Sequence, residues 1–238
     1  CPSLQTRTWN SSLTSPMFTA DGILNLDKPY GMTSMEIVRR IKRASRAKRV
    51  GHGGTLDPVA TGVIPICLGR ATRTMEYLLA GTKDYRAKVE FGAATDTYDA
   101  LGKVTTRADA SHVTVGEIEK VLKSFKGEID QVPPMFSALK RKGKRLYDLA
   151  RAGIEVEREP RKVKVLSIGL KDWHYPVATV EVQCGRGFYM RSLAHDLGQL
   201  LGCGAHLKNL VRLRSGPFEL SSALSLEDAE QLFDNDLW

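Results

Sequence analysis

Long apolar runs, paired cysteines and cofactor fingerprints are scarce in this 238-residue chain, and each scarcity removes a class of function. No stretch approaches the roughly 20 apolar residues that a membrane-crossing helix needs, and no signal-type apolar core lies near the start. The chain is therefore expected to work in the cytoplasm, with no membrane partner. The four cysteines, Cys1, Cys67, Cys184 and Cys203, are too scattered for a C-x-x-C pair and too few to staple a domain of this size, so a reducing compartment follows. A Walker-type phosphate loop, a G-x-S-x-G elbow and an H-E-x-x-H helix are all missing, and Gly51 with Gly53 lacks the third glycine of a dinucleotide fingerprint. His52, His112, His174, His195 and His206 show no ligand spacing. Neither a metal nor a small-molecule cofactor is expected, and neither a repeat nor a low-complexity block occurs.

What is present points to one folded body with an anionic partner. Hydrophobic side chains make up 42% of the chain, enough for one substantial core. Thirty-five basic against 27 acidic residues leave a net charge of +8, which favours nucleic acid first and a membrane surface second. A merely basic protein is the plain alternative. The first residue is Cys1 rather than Met, and the Ser/Thr-rich, acid-poor stretch 1–20 reads as a disordered or variable tail.

Organisation begins at Gly22, where Ile23, Leu24 and Leu26 form a strand-like run stopped by the Asp27-Lys28-Pro29-Tyr30-Gly31 turn. Thr33 and Glu36 have capping-box spacing, so a helix should follow with Ile37, Ile41, Ala44 and Ala47 inward. Its other face and the loop behind it crowd Arg39, Arg40, Lys42, Arg43, Arg46, Lys48 and Arg49. That face reads as a surface for phosphates or as an ordinary solvated one. From Tyr85 the order Tyr85, Ala87, Val89, Phe91 has period two, which predicts a half-buried strand with Tyr85 at the rim of the core. Thr114 and Glu117 predict a second capped helix burying Ile118, Val121, Leu122 and Phe125. Residues 163–170 and 177–184 read as strands. After the Gly185-Arg186-Gly187 turn, Leu193, Leu197, Leu200 and Leu201 predict an amphipathic helix. Strands and helices do not alternate regularly, so the fold class expected is α+β, with a mixed, largely antiparallel central sheet flanked by helices.

One segment concentrates glycine around a single carboxylate: Gly51-His52-Gly53-Gly54-Thr55-Leu56-Asp57-Pro58-Val59-Ala60-Thr61-Gly62. Such a loop admits a large ligand close to the backbone. Locally, an Asp57-Pro58 pair taken alone reads as a helix N-cap with proline at the first helical position. Around Gly143, Lys140, Arg141, Lys142, Lys144 and Arg145 form a basic loop or hairpin, either a clamp over RNA or a solvated turn.

The glycine segment, continued by Val63-Ile64-Pro65-Ile66, resembles the catalytic motif of the TruB family of transfer-RNA pseudouridine synthases. Further blocks are similar to that family in the same order. They are Leu26-Asp27-Lys28-Pro29-Tyr30-Gly31-Met32-Thr33-Ser34, Lys83-Asp84-Tyr85-Arg86 with Thr95-Asp96-Thr97-Tyr98-Asp99, Gln131-Val132-Pro133-Pro134-Met135-Phe136-Ser137-Ala138-Leu139-Lys140, Gly187-Phe188-Tyr189-Met190-Arg191 and Gly202-Cys203-Gly204-Ala205-His206-Leu207. Coverage runs from about residue 22 to 220.

The resemblance implies isomerisation of a uridine to pseudouridine in the T stem-loop of tRNA, at position 55, by a cofactor-free monomer with the pseudouridine synthase catalytic fold. It implies that Asp57 is the catalytic carboxylate, Tyr85 a ring stacked on the flipped base, and Arg191 the cation paired with Asp57. Tyr189 and Leu210 match the wall and floor of the base pocket, His52 a residue that helps the RNA loop refold, and Lys28 a motif lysine at the substrate site. Tyr85, Tyr189 and Leu210 also suit plain core packing. Arg39, Arg43, Arg46, Arg49, Lys140, Lys142 and Lys144 are the expected RNA-backbone contacts. The catalytic domain is expected over 21–225, and 226–238 as a C-terminal tail, too short for the RNA-binding PUA domain that many members carry. An RNA-guided synthase subunit and a non-catalytic tRNA-binding or folding module are the alternatives.

Overall fold

A computed structural model describes residues 21–234 apart from 138, 142, 152 and 155. The tail at 1–20 and Lys142 lie outside the described residues. Strand β1 (Gly22–Lys28) turns into α1 (Ser34–Ser45), then β2 (Val50–His52), the glycine-rich loop and β3 (Ala60–Leu68). The short helix α2 (Met75–Ala80) precedes β4 (Lys83–Phe91), β5 (Ala93–Thr95) and β6 (Val104–Arg107). Next come α3 (Val115–Ser124), β7 (Gly127–Gln131), the hairpin β8 (Lys140–Arg141) and β9 (Lys144–Arg145), and α4 (Leu146–Arg151). The chain continues through β10 (Arg161–His174), β11 (Val177–Cys184), α5 (Met190–Leu200), β12 (Ala205–Ser215), β13 (Phe218–Glu219) and α6 (Leu226–Asp234).

The central sheet runs β1-β3-β12-β4-β11-β10-β7, with β2 also on β3 and β13 also on β12. Its pairings are antiparallel except β12 with β3. Because the late strand β12 enters beside the early strand β3, distant segments share one row. Gly62 on β3, Arg212 on β12 and Tyr85 on β4 are register partners, and Ala60, Leu210 and Ala87 form the adjacent row.

The predicted patterns explain how these elements hold together. On β4, Ala87, Val89 and Phe91 are buried while Arg86 and Lys88 face out, as period two requires. Both capping boxes form: Thr33 with Glu36 starts α1 and Thr114 with Glu117 starts α3, each satisfying two orphan amides. Ile37 and Ile41 are fully buried, each contributing roughly 1.5–3 kcal/mol of apolar transfer.

Four expectations need correction. Leu200 is 61% exposed, because it falls on the outer side of α5 near its end while Leu193 and Leu197 reach the core. The stretch after residue 225 is no separate tail in the part described: α6 seats Leu226, Ala229 and Phe233 in the core cluster. It also takes one of the α1 arginines, for Arg40 Nε donates to Glu230 Oε1 at 2.8 Å, so Arg40 leaves the free basic face. Finally, no helix follows Asp57. Residues 58 and 59 make a turn closed by Ala60 N donating to the Asp57 carbonyl at 3.0 Å, and β3 begins at once.

Candidate active site

The glycine loop reaches the sheet at Asp57 under several restraints. Ser34, in the first turn of α1, donates its hydroxyl to Leu56 O and accepts from Leu56 N, both at 2.9 Å. Gly31 N donates to Pro58 O at 2.9 Å. Lys28 is fully buried, and its ammonium donates to Met32 O (2.6 Å), Pro29 O (2.9 Å) and Pro58 O (3.5 Å). Burial pulls that ammonium down to about 8, with the Asp57 carboxylate opposing the fall. The Leu26–Ser34 block is thus the scaffold on which the Asp57 turn rests, and Lys28 acts there through carbonyls.

Arg191 lies in the first turn of α5, where a cation opposes the helix dipole unless an anion faces it. Asp57 supplies that anion: Arg191 Nε stands 2.9 Å from Asp57 Oδ2, the arginine side chain 6% exposed and the aspartate 37%. A two-pronged contact with Asp57 is not what forms. Arg191 Nη2 donates to Phe136 O at 2.8 Å and Nη1 to Thr97 O at 3.3 Å. A second carboxylate, buried Asp99, has Oδ2 3.8 Å from Nε. Asp99 is held in turn by Thr97 Oγ1 at 2.6 Å and Leu101 N at 3.0 Å. The guanidinium therefore gathers the blocks around residues 57, 97–99 and 136.

The remaining expected residues fall at differing distances from this centre. Tyr85 is half-buried on β4; burial raises its phenol, and the nearby Arg212 cation lowers it. Tyr189 caps the start of α5, with Gln131 bonded to its backbone from both sides, and burial raises its phenol as well. Leu210 is buried in the row of Ala60 and Ala87. His52 ends β2, its Nδ1 accepting from Gly54 N at 3.3 Å; burial, then Arg212, lowers the imidazole. Arg39, Arg43, Arg46 and Arg49 are exposed on α1 and beyond it. Lys140 and Lys144 belong to the β8–β9 hairpin, turned at Gly143 (φ +82°).

Sequence reasoning missed Asp99 and Arg212. Asp99 closes a block that was noticed, but nothing local marks a buried carboxylate. Arg212 carried a usable signal: it lies two residues from Leu210 on one strand, so period two places both on the same, buried face. Arg212 is 1% exposed and donates to Val63 O, Gly54 O and Thr55 O.

Comparison with known proteins matches residues 42–190 to a model of TruB family pseudouridylate synthase (N-terminal domain) and residues 191–236 to one of the tRNA pseudouridylate synthase B C-terminal domain. Tested against curated proteins, the chain is 54% identical over 211 residues to the tRNA pseudouridine synthase B of Symbiobacterium thermophilum, covering 87% of this chain and 71% of that one. Its identity to the protein of the same name from Geobacter sulfurreducens is 50% over 212 residues, covering 89% and 70%. Among solved structures it resembles a Cbf5-Nop10-Gar1 complex (TM-score 0.72, 34% identity, 93% of this chain and 58% of that one). It also resembles an H/ACA RNP bound to a substrate RNA (TM-score 0.68, 31% identity, 93% and 57%). The chain thus spans under two thirds of those solved chains.

Proposed function

We propose, from the premise that this chain belongs to the TruB family of pseudouridylate synthases, that it isomerises a uridine in the T loop of tRNA, at position 55, with Asp57 as catalytic carboxylate. That it is a tRNA pseudouridine synthase follows from the family; the target position and the residue roles are the proposal. The observation that carries it is the Asp57–Arg191 contact at 2.9 Å, a half-open carboxylate beside a buried cation. The buried cation fixes the direction of the carboxylate that an extracted nucleotide would meet. In the reaction the bond from sugar C1′ to N1 breaks, the base turns, and C1′ bonds to C5, whose proton is lost as N1 gains one. Atoms balance within the nucleotide. Tyr85 would stack on the base, an interaction of roughly 1–3 kcal/mol, while Tyr189 and Leu210 bound the pocket. Lys28 and Ser34 position the Asp57 turn.

Incubating the protein alone with unmodified tRNA and mapping pseudouridine at nucleotide resolution tests this reading. Product at position 55 alone is expected. Turnover only with added guide RNA and partner proteins would favour an RNA-guided subunit, and binding without product a non-catalytic module. The exposed arginines give a second expected result. Reversing Arg39, Arg43 and Arg49 to Glu should weaken tRNA binding and flatten the salt dependence of log K by about one unit of slope for each phosphate no longer neutralised. An unchanged slope would place that face of α1 off the RNA.

A further inference from the structure

Arg212 is the largest fully buried side chain among the described residues, and it is a cation. Among the described residues no carboxylate lies within ion-pairing distance of it, so the desolvation of its charge is offset by carbonyl dipoles. Those carbonyls lie far off in the chain yet bracket one residue. Nε donates to Val63 O at 2.7 Å, Nη2 to Gly54 O at 3.1 Å and Nη1 to Thr55 O at 3.4 Å. Two of these carbonyls fall within three residues before Asp57 and one lies on β3 after it.

Two glycines of the segment lie against the same residue, one at its side chain and one at its backbone. Gly54 has φ +145°, and a Cβ there would stand 3.3 Å from Arg212 Nη1. Gly62 has φ +97°, and a Cβ there would meet the Arg212 backbone oxygen at 2.3 Å. The other restraints on this loop act at Gly53, Leu56 and Pro58, which leaves the carbonyls of Gly54 and Thr55 to the Arg212 fork. On the other side of β12, Tyr85 is the register partner of Arg212. Burial lowers the His52 imidazole and the Lys28 ammonium and the Arg212 charge adds to both, while at Tyr85 burial raises the phenol and Arg212 opposes it.

We propose that Arg212 is a positioning residue of the reaction, fixing from strand β12 the two backbone segments that deliver Asp57. The guanidinium suits this task because its planar fork serves three carbonyls in fixed directions, whereas a lysine ammonium retains the charge without the fork. Removing the fork leaves the aspartate present and misplaced, which affects turnover more than RNA binding.

The inference rests on Asp57 being the catalytic carboxylate, and a double-mutant cycle separates the two ideas. R212K, G54A, R212K/G54A and D57N are compared with wild type for thermal melting, tRNA binding and single-turnover pseudouridine formation. R212K is expected to melt cooperatively and to bind tRNA within about threefold of wild type, and to form product about a hundredfold more slowly, the loss associated with ångström-scale misplacement. G54A, which crowds the guanidinium from the loop side at 3.3 Å and also strains a backbone at φ +145° that favours glycine, is expected to show the same pattern. The double variant should be no slower than the worse single one, since both remove a single interaction. R212K or G54A turning over within threefold of wild type overturns the proposal. So does multiplication of the two rate effects, or a slower rate that tracks weakened binding or melting. If R212K does not fold, the G54A rate and binding decide alone. Turnover by D57N would instead overturn the reading of Asp57, on which this one stands.

Discussion

Replacing Asp57 with Asn is expected to abolish pseudouridine formation while leaving the fold and tRNA binding in place. Asn keeps the size of the side chain and one acceptor oxygen, so the Arg191 Nε contact at 2.9 Å has a partner in both proteins. Only the negative charge is removed. The backbone around residue 57 is held by Ser34, Gly31, Lys28 and Ala60, none of which depends on the carboxylate. Arg191 is not stranded either, because Asp99 Oδ2 remains 3.8 Å away as a buried counter-charge. Melting should therefore barely move. If the carboxylate acts directly on the nucleotide, the rate should fall by about 10⁴-fold or more, roughly 5.5 kcal/mol of barrier. Single-turnover product formation with saturating enzyme measures it. A variant that turns over within tenfold of wild type would remove Asp57 from the chemistry.

The second large effect is expected at Arg191. Lysine retains the positive charge at the start of α5 but presents a compact ammonium on a flexible stem, where arginine presents a plane of donors. Three partners lie around that plane: Asp57 Oδ2 at 2.9 Å, Phe136 O at 2.8 Å and Thr97 O at 3.3 Å. An ammonium that satisfies one carbonyl gives up the geometry of the others, and the Phe136 and Thr97 blocks lose their common anchor. Arg191→Lys should form product about a hundredfold more slowly or worse, as expected for a displaced reacting group. Arg191→Met should add a folding defect of about 3–5 kcal/mol, because it removes the cation that faces the buried Asp99. Chemical denaturation of the two variants separates these effects. Wild-type rates in Arg191→Lys would show that charge alone suffices and that the shared fork plays no part.

Much of this site was legible before any coordinates. The capping boxes at Thr33 and Thr114 identify two helices because a Thr–Glu pair at that spacing serves the orphan amides wherever it occurs. The period-two run from Tyr85 identifies β4 and puts Tyr85 on the core side of its rim. The blocks of the TruB resemblance mark Asp57 and Arg191 as partners, and these two do meet. Other readings failed for want of neighbours. The helix after Asp57 was a sound local alternative, overridden because Pro58 and Val59 are drawn into a turn that feeds β3. Arg40 read as one more free cation until α6 brought Glu230 to it from 190 residues away.

By itself, then, the sequence determined what depends on short spacing: the helix starts, the alternation of the strands, and the small set of residues among which the chemistry must be sought. Only the tertiary structure decided which of those residues touch. Asp99 and Arg212 acquire their roles because β12 inserts between β3 and β4 and because α5 points its first turn at the 97–99 loop. Contacts across 149 residues, such as Arg212 Nε with Val63 O, leave no periodicity to read. A buried charge is set by whatever the folded chain packs around it, and that information lies in the sheet order rather than in any window of sequence.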